Sequence, residues 1–85
     1  MSEKFEIRVT EEFRKGYRNL PKTIQRKVDK QLRFLVSNPK HPSLRMHKMN
    51  DEWEFYVDMY YRCIIRREGA MFILLTVGGH KIVER

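Results

Sequence analysis

The 85 residues are enough for one domain with one hydrophobic core, so we expect a single domain over residues 1–85. Hydrophobic residues make up 41% of the chain and charged residues 34%, which is typical of a globular protein and excludes an intrinsically disordered one. Eighteen Lys and Arg against 11 Asp and Glu give a net charge of +7, which favours nucleic acid, an anionic membrane or an acidic protein as the partner.

The expected location of the protein is the cytoplasm. No signal sequence precedes Phe5, and no apolar run reaches the roughly 18 residues of a membrane span. The single cysteine, Cys63, cannot form an internal disulfide, which suits a reducing compartment. His41 and His47 lie in a proline-rich connector without a partner at metal-ligand spacing. We therefore treat both histidines as structural or incidental, and we expect no metal, cofactor or small-molecule ligand.

The first half of the chain predicts one strand and two helices. Apolar and charged residues alternate from Phe5 to Val9, which is typical of a short strand with one buried face. Thr10 is a suitable N-cap for a first helix that ends near Leu20. Across residues 21–37, apolar residues recur at three- and four-residue spacing and predict a second amphipathic helix. Two prolines in residues 37–43 end it.

The second half predicts three strands in succession. After a connector, alternation predicts strands over residues 53–58 and 60–66, and "REGA" at residues 67–70 indicates a hairpin turn. Residues 71–77 are mostly apolar and predict a central strand. Three strands with short connections form an antiparallel meander, and the two helices must cover one of its faces. The predicted fold class is therefore α+β.

The second helix carries a basic stripe, which we define as Lys22, Arg26, Lys30 and Arg33. These residues repeat at four-, four- and three-residue spacing, opposite the apolar face, and Lys27 lies on the flank of the stripe. Like charges at this spacing destabilise a helix by roughly 0.2–0.5 kcal/mol per pair. A binding surface for RNA, the ribosome or an acidic protein would explain that cost, and a plain solvated face is the alternative.

Strand alternation also predicts which polar residues share the open face of the sheet. If apolar neighbours face the helices, Glu54, Tyr56 and Asp58 face away from them, together with Tyr60 and Arg62 of the next strand. An arginine in a central strand is costly unless it pairs or meets an anion, and its planar fork suits a phosphate. A cross-strand pair of Arg62 with Glu54 or Asp58 remains the structural alternative.

The ending "GGH" supplies a candidate proton donor. His80 follows Gly78 and Gly79, which we expect to act as a hinge that lets another molecule approach. An ordinary surface histidine is the alternative. RNA cleavage by 2′-hydroxyl attack needs a base, a cation on the phosphate and an acid for the leaving 5′ oxygen. The sequence permits such a set, with candidate catalytic residues Glu54, Arg62 and His80 and with Tyr56 or Tyr60 positioning or donating.

The chain resembles the RelE/ParE superfamily of bacterial and archaeal toxins over nearly its whole length. The resemblance lies in the order of the helical hairpin, "SLRMHKMNDEW", the strand with "YYRCII" and the final strand ending in "VGGH". It implies a microbial-ribonuclease-like α+β fold, and in the RelE branch ribosome-dependent cleavage of mRNA in the A site. It also implies a cognate antitoxin. By this resemblance Arg62 acts on the phosphate and His80 is catalytic, whereas Glu54 and Tyr56 correspond only by position to RelE lysines.

The sequence also departs from this family pattern. Many members carry an aromatic residue shortly after the position of His80, where this chain has "VER", and the "HPSLR" loop has no glutamate to act as the general base. Lys81, beside His80, completes the residues expected to bind RNA or the ribosome. The alternatives are a ParE-like inhibitor of DNA gyrase and a catalytically inert RNA- or protein-binding module on the same fold.

Overall fold

The structure is a computed structural model that describes residues 4–79. In chain order its elements are β1 (Glu6–Val9), α1 (Glu11–Arg18), α2 (Lys22–Ser37), a 3₁₀ turn (Pro42–Leu44), β2 (His47–Met49), β3 (Glu52–Tyr56), β4 (Tyr61–Glu68) and β5 (Met71–Gly79). The five strands of this part of the chain form one sheet in the order β1-β5-β4-β3-β2. β1 is parallel to β5, and the other neighbouring pairs are antiparallel. The predicted α+β fold with its meander, β3 to β5, is confirmed.

Both helices cover the same face of the sheet, and the core lies between the two layers. Buried side chains from every layer meet there, and the largest that are fully buried are Phe55, Leu35, Leu44, Ile65, Leu74, Val28 and Cys63. Neither helix among residues 4–79 has the length and apolar character needed to cross a membrane.

Thr10 fixes the start of α1 and ties it to the sheet. Its hydroxyl accepts a hydrogen bond from the backbone N–H of Phe13 (3.1 Å) and donates one to the carbonyl of Leu74 on β5 (2.7 Å). One turn later, α1 approaches β5 so closely that a Cβ atom on Gly16 would lie 2.5 Å from the carbonyl oxygen of Val77. Glycine is needed at this position because any side chain would push the helix away from the strand.

α2 contains one buried polar residue, Gln31, among its core-facing side chains. The Nε2 group of Gln31 donates hydrogen bonds to the carbonyl oxygens of Ser43 (3.0 Å) and Tyr56 (2.7 Å). Gln31 therefore connects α2 both to the 3₁₀ turn and to the last residue of β3. These two hydrogen bonds compensate the burial of the Gln31 amide.

Two features of the sheet differ from the sequence predictions. The connector before β3 contains a further short strand, β2, which pairs with β3. β5 continues through Gly79, and a β-bulge at Leu75 shifts its register with β4. The extra residue changes the inward-facing positions of β5, so that Leu74 and Val77 both reach the core.

Candidate functional site

Arg62 lies on β4, the central strand, between Tyr56 of β3 and Gly78 of β5. The residue is only 7% exposed. Its Nη1 group donates hydrogen bonds to the carbonyl oxygens of Asp58 (2.8 Å) and Met59 (2.7 Å) in the turn between β3 and β4. Its Nε atom is buried and has no hydrogen-bond partner in the described part of the chain. The turn thus holds one edge of the guanidinium and leaves Nε unsatisfied.

The cross-strand ion pair that the sequence left open for Arg62 is not formed. Glu54 instead contacts the Nε2 atom of His47 at 3.0 Å, and Asp58 contacts the Nζ atom of Lys27 at 3.4 Å. Among residues 4–79, no carboxylate lies within ion-pair distance of Arg62. A buried cation without a countercharge is costly, and a bound anion such as a phosphate would offset that cost.

Tyr56 provides the surface on which Arg62 lies. The Cζ atom of Arg62 is 3.6 Å from the centroid of the Tyr56 ring, and the Cζ atom of Arg45 is 5.4 Å from the same centroid. The backbone of Tyr56 is itself held by Gln31. Cation–π contact of this kind fixes the plane of a guanidinium and so orients its N–H donors. The predicted open-face neighbourhood of Tyr56 and Arg62 is therefore present.

His47, which the sequence suggested was structural or incidental, contacts members of this cluster. The register of β2 with β3 places His47 opposite Glu54, and Glu54 is buried, with 7% of its surface exposed. The ring of His47 meets that of Tyr56 edge-on, with centroids 6.4 Å apart. Of the two interpretations, structural or incidental, the contact with a buried carboxylate agrees with the structural one, and it gives His47 a defined place beside Glu54 and Tyr56.

His47 connects the backbone of Arg45 with the buried carboxylate of Glu54. Its Nδ1 atom lies 3.2 Å from the carbonyl oxygen of Arg45, and its Nε2 atom lies 3.0 Å from the Oε1 atom of Glu54. A ring nitrogen that carries hydrogen can donate to this carboxylate. Imidazole and carboxylate are the side-chain groups most often used for proton transfer, so this pair is a candidate for acid–base chemistry.

Asp58 organises the turn that carries Arg62. Its Oδ1 atom accepts hydrogen bonds from the backbone N–H groups of Tyr60 (2.8 Å) and Tyr61 (2.9 Å). Partial burial of Asp58 opposes its ionisation, but these hydrogen bonds and Lys27 outweigh that effect and hold the pKa of Asp58 below its ordinary value. Lys27, predicted to bind RNA, is thus engaged within the protein, although its side chain remains half exposed.

The two glycines near the end of the chain are strand residues. Gly78 pairs with Arg62 and Gly79 with Tyr61, so both belong to β5, and the predicted hinge is wrong. Among the described residues, a Cβ atom on Gly79 would come near only the carbonyl oxygen of Tyr60, at 3.9 Å. His80 and Lys81, predicted to be catalytic and RNA-binding, lie outside the described residues.

The four residues of the basic stripe are all exposed, on the side of α2 that faces away from its buried residues. Arg62 belongs to the opposite face of the sheet, so the stripe and the site around Arg62 form separate surfaces. Asp29, on the same helix, accepts a hydrogen bond from the hydroxyl of Tyr17 at 2.8 Å. No acidic residue among residues 4–79 forms an ion pair with the stripe.

The site has no feature of a metal centre. Among residues 4–79, no three His, Cys, Asp or Glu side chains are grouped so that they could hold a metal ion. The described residues offer a cation fixed on an aromatic ring, with a histidine–carboxylate contact beside that ring.

Comparison with solved structures shows the fold of the RelE-like toxins. YafQ from E. coli strain BL21(DE3) has a TM-score of 0.80 and 12% identity, over 95% of this chain and 99% of that one. A free mutant of E. coli RelE has a TM-score of 0.73 and 18% identity, over 95% and 88% of the two chains. The RelBE2 toxin–antitoxin complex from Mycobacterium tuberculosis has a TM-score of 0.72 and 16% identity, over 91% and 99%. No protein-family model and no curated protein matches the sequence.

Proposed function

We propose that this protein is the toxin of a type II toxin–antitoxin pair and that it inhibits translation by cleaving mRNA in the ribosomal A site. The observation that carries the proposal is the buried guanidinium of Arg62, which has no carboxylate partner among residues 4–79. Its planar donors suit the oxygen atoms of a phosphate. The toxin fold and the net charge of +7 support the same function.

The proposed reaction is an internal transfer at phosphorus. A base removes the proton from the 2′-hydroxyl, and O2′ attacks the adjacent phosphorus. The bond from phosphorus to O5′ breaks, and an acid gives a proton to O5′ as it leaves. The products are a 2′,3′-cyclic phosphate and a 5′-hydroxyl end, so neither water nor a cofactor is consumed.

Three groups around the phosphate have assigned roles. Arg62 binds the phosphate and stabilises the charge that grows on its oxygen atoms in the transition state. Tyr56 holds the plane of the Arg62 guanidinium. The pair of Glu54 and His47 accepts the proton from O2′, because a carboxylate and an imidazole can both act as a base and the pair lies beside Tyr56.

The proton donor to O5′ is assigned from the sequence. His80 directly follows Gly79, and Gly79 pairs with the residue before Arg62 on β4. A histidine can donate a proton near neutral pH. Lys81 would add a positive charge next to it. The basic stripe, on the other side of the molecule, is the proposed contact surface for the ribosome or for an acidic antitoxin, and both would recognise it through charge.

Controlled expression in a bacterial host tests this function. Growth should stop, and translated mRNAs should acquire new 5′-hydroxyl ends inside their coding regions. Blocking initiation of one reporter mRNA should protect that mRNA, because cleavage depends on the ribosome. Growth arrest without such ends, together with loss of DNA supercoiling activity of purified gyrase, would identify a gyrase inhibitor instead. Absence of both effects would identify a binding module without catalytic activity.

A further inference from the structure

The turn between β3 and β4 presents two large apolar side chains to solvent. Met59 is 77% exposed and Tyr60 is 72% exposed, whereas Ile7, the other exposed large apolar residue of the described chain, is only 37% exposed. Single exposed apolar residues are common on protein surfaces. Here two adjacent residues at the tip of one turn are both exposed, and the turn lies next to Arg62.

Hydrogen bonds hold the turn in one conformation. The Asp58 carboxylate accepts from the N–H groups of Tyr60 and Tyr61, and the N–H of Val57 donates to the carbonyl oxygen of Tyr61 at 2.9 Å. Lys27 on α2 holds the second carboxylate oxygen of Asp58. Because these hydrogen bonds already order the backbone of the turn, binding of a ligand there costs little backbone conformational entropy.

The same turn is attached to the proposed phosphate-binding residue. The carbonyl oxygen of Met59 accepts a hydrogen bond from Nη1 of Arg62 at 2.7 Å, and Tyr60 is two residues before Arg62 in the chain. The apolar tip is therefore fixed directly to the buried guanidinium. A ligand with an anion on Arg62 would therefore have this turn as a neighbour.

From this arrangement we propose that Tyr60, with Met59 beside it, is a stacking platform for a nucleobase of single-stranded RNA. This inference rests on the proposed function, because the base belongs to the nucleotide next to the phosphate on Arg62. Proteins that bind single strands combine a cation for the backbone with an aromatic ring for the base. A thioether beside the ring adds an adaptable apolar contact. Tyr60 is then a specificity-determining residue, since purines offer more stacking area than pyrimidines.

Charge favours RNA over a protein at this tip. A protein anchor would bury Met59 and Tyr60 but would also need an acidic group for Arg62. In RNA, phosphate and base are linked within one nucleotide, so both features of the site are used together. The net charge of +7 attracts the whole strand.

A hexaribonucleotide with one central 2-aminopurine tests the platform, because stacking quenches the fluorescence of that base. Binding to the purified protein should quench it. The variant Tyr60→Ala should bind roughly 5- to 150-fold more weakly and should abolish quenching at saturation. Tyr60→Phe, which keeps the ring, should behave like the wild type. Ile7→Ala is the matched control, since it removes an exposed apolar side chain from β1, and it should change neither quantity.

The variant Arg62→Ala separates this inference from the proposed function. Arg62→Ala should weaken binding yet retain quenching at saturation. Unchanged binding by Arg62→Ala would contradict the phosphate role while leaving the platform intact. If Tyr60→Ala keeps the affinity and the quenching of the wild type, the platform is overturned but the proposed function is not. Failure of the wild-type protein to bind the hexaribonucleotide at millimolar concentration would have the same consequence. If Tyr60→Ala binds RNA normally but no longer binds the antitoxin, the tip is a protein contact and the platform is likewise overturned.

Discussion

The guanidinium of Arg62 lies on the ring of Tyr56, with its Cζ atom 3.6 Å from the ring centroid. Arg62 also donates hydrogen bonds to two turn carbonyls, so its position is fixed from two directions. Within residues 4–79 no carboxylate neutralises it. This relationship gives the molecule an oriented positive charge in the middle of a sheet.

The contact between His47 and Glu54 should be needed for cleavage. On programmed ribosomes, His47→Gln and Glu54→Gln should each lower the single-turnover rate by about 10²–10⁴-fold. The double variant should lose little more than either single one, because both changes disable the same pair. His41→Gln is the control, since His41 contacts Ser43 instead. Additive losses in the double variant would show that the two residues act separately.

The basic stripe should contribute to binding through charge. Changing its four residues to glutamine should leave the fold intact, because all four are exposed. Affinity for the ribosome or the antitoxin should fall, and its salt dependence should become shallower. A control variant with glutamine at the exposed positions Arg8, Arg14, Lys15 and Lys40 removes the same charge elsewhere. Equal effects of the two variants would show that the stripe acts only through the net charge of the protein. If neither variant changes binding, the stripe is a plain solvated face.

Gly16→Ala should destabilise the protein, although alanine favours a helix over glycine by about 1 kcal/mol. The new Cβ atom would lie 2.5 Å from the backbone oxygen of Val77, so α1 would have to move off β5. The steric term should dominate and give a net loss of about 1–3 kcal/mol in the free energy of unfolding, measured in urea. Gly79→Ala, where the added atom meets only an oxygen at 3.9 Å, should cost much less.

The turn that carries Arg62 should weaken in acid. The pKa of Asp58 is below its ordinary value in the folded protein, so its carboxylate stabilises the fold above about pH 4 and loses that effect as the pH falls further. Asp58→Asn should therefore lower the free energy of unfolding by about 1 kcal/mol at pH 7, with a smaller difference from wild type near pH 3. Asp51→Asn, at an exposed position, is the control. A difference that stays constant with pH would mean that the Asp58 charge has no part in the effect.

Alternation along the chain was sufficient to predict the faces of β3 and β4, because residues such as Phe55 and Cys63 are buried where the pattern requires. The bulge at Leu75 was not predictable, because it shifts the alternation of inward and outward side chains within a strand that is apolar on both faces. The sequence therefore contained no sign that the strand continues beyond the bulge to Gly78 and Gly79, and these two residues were predicted to form a hinge. Such shifts depend on pairing with β4, and local sequence does not record that pairing.

The pair of His47 and Glu54 was missed because β2 has only three residues. A signal did exist: Asn50 and Asp51 form a two-residue connection between β2 and β3, and Asn50 has a φ of 56°, which asparagine tolerates. Reading this connection as a hairpin turn would have placed His47 opposite Glu54. The contact of Arg45 with Tyr56 depends on the same register. It also depends on the backbone of Arg45 itself, which lies in the left-handed region with a φ of 46° that the sequence does not suggest.

The central claim, that Arg62 acts on the scissile phosphate, is tested most directly by single-turnover cleavage on purified ribosomes with a defined A-site codon. Wild-type protein should cut the mRNA within that codon. Arg62→Ala should cut about 10²–10³-fold more slowly while still binding the antitoxin, and Arg62→Lys should recover only part of the rate because it lacks the planar fork. Wild-type cleavage by a correctly folded Arg62→Ala variant would contradict the account.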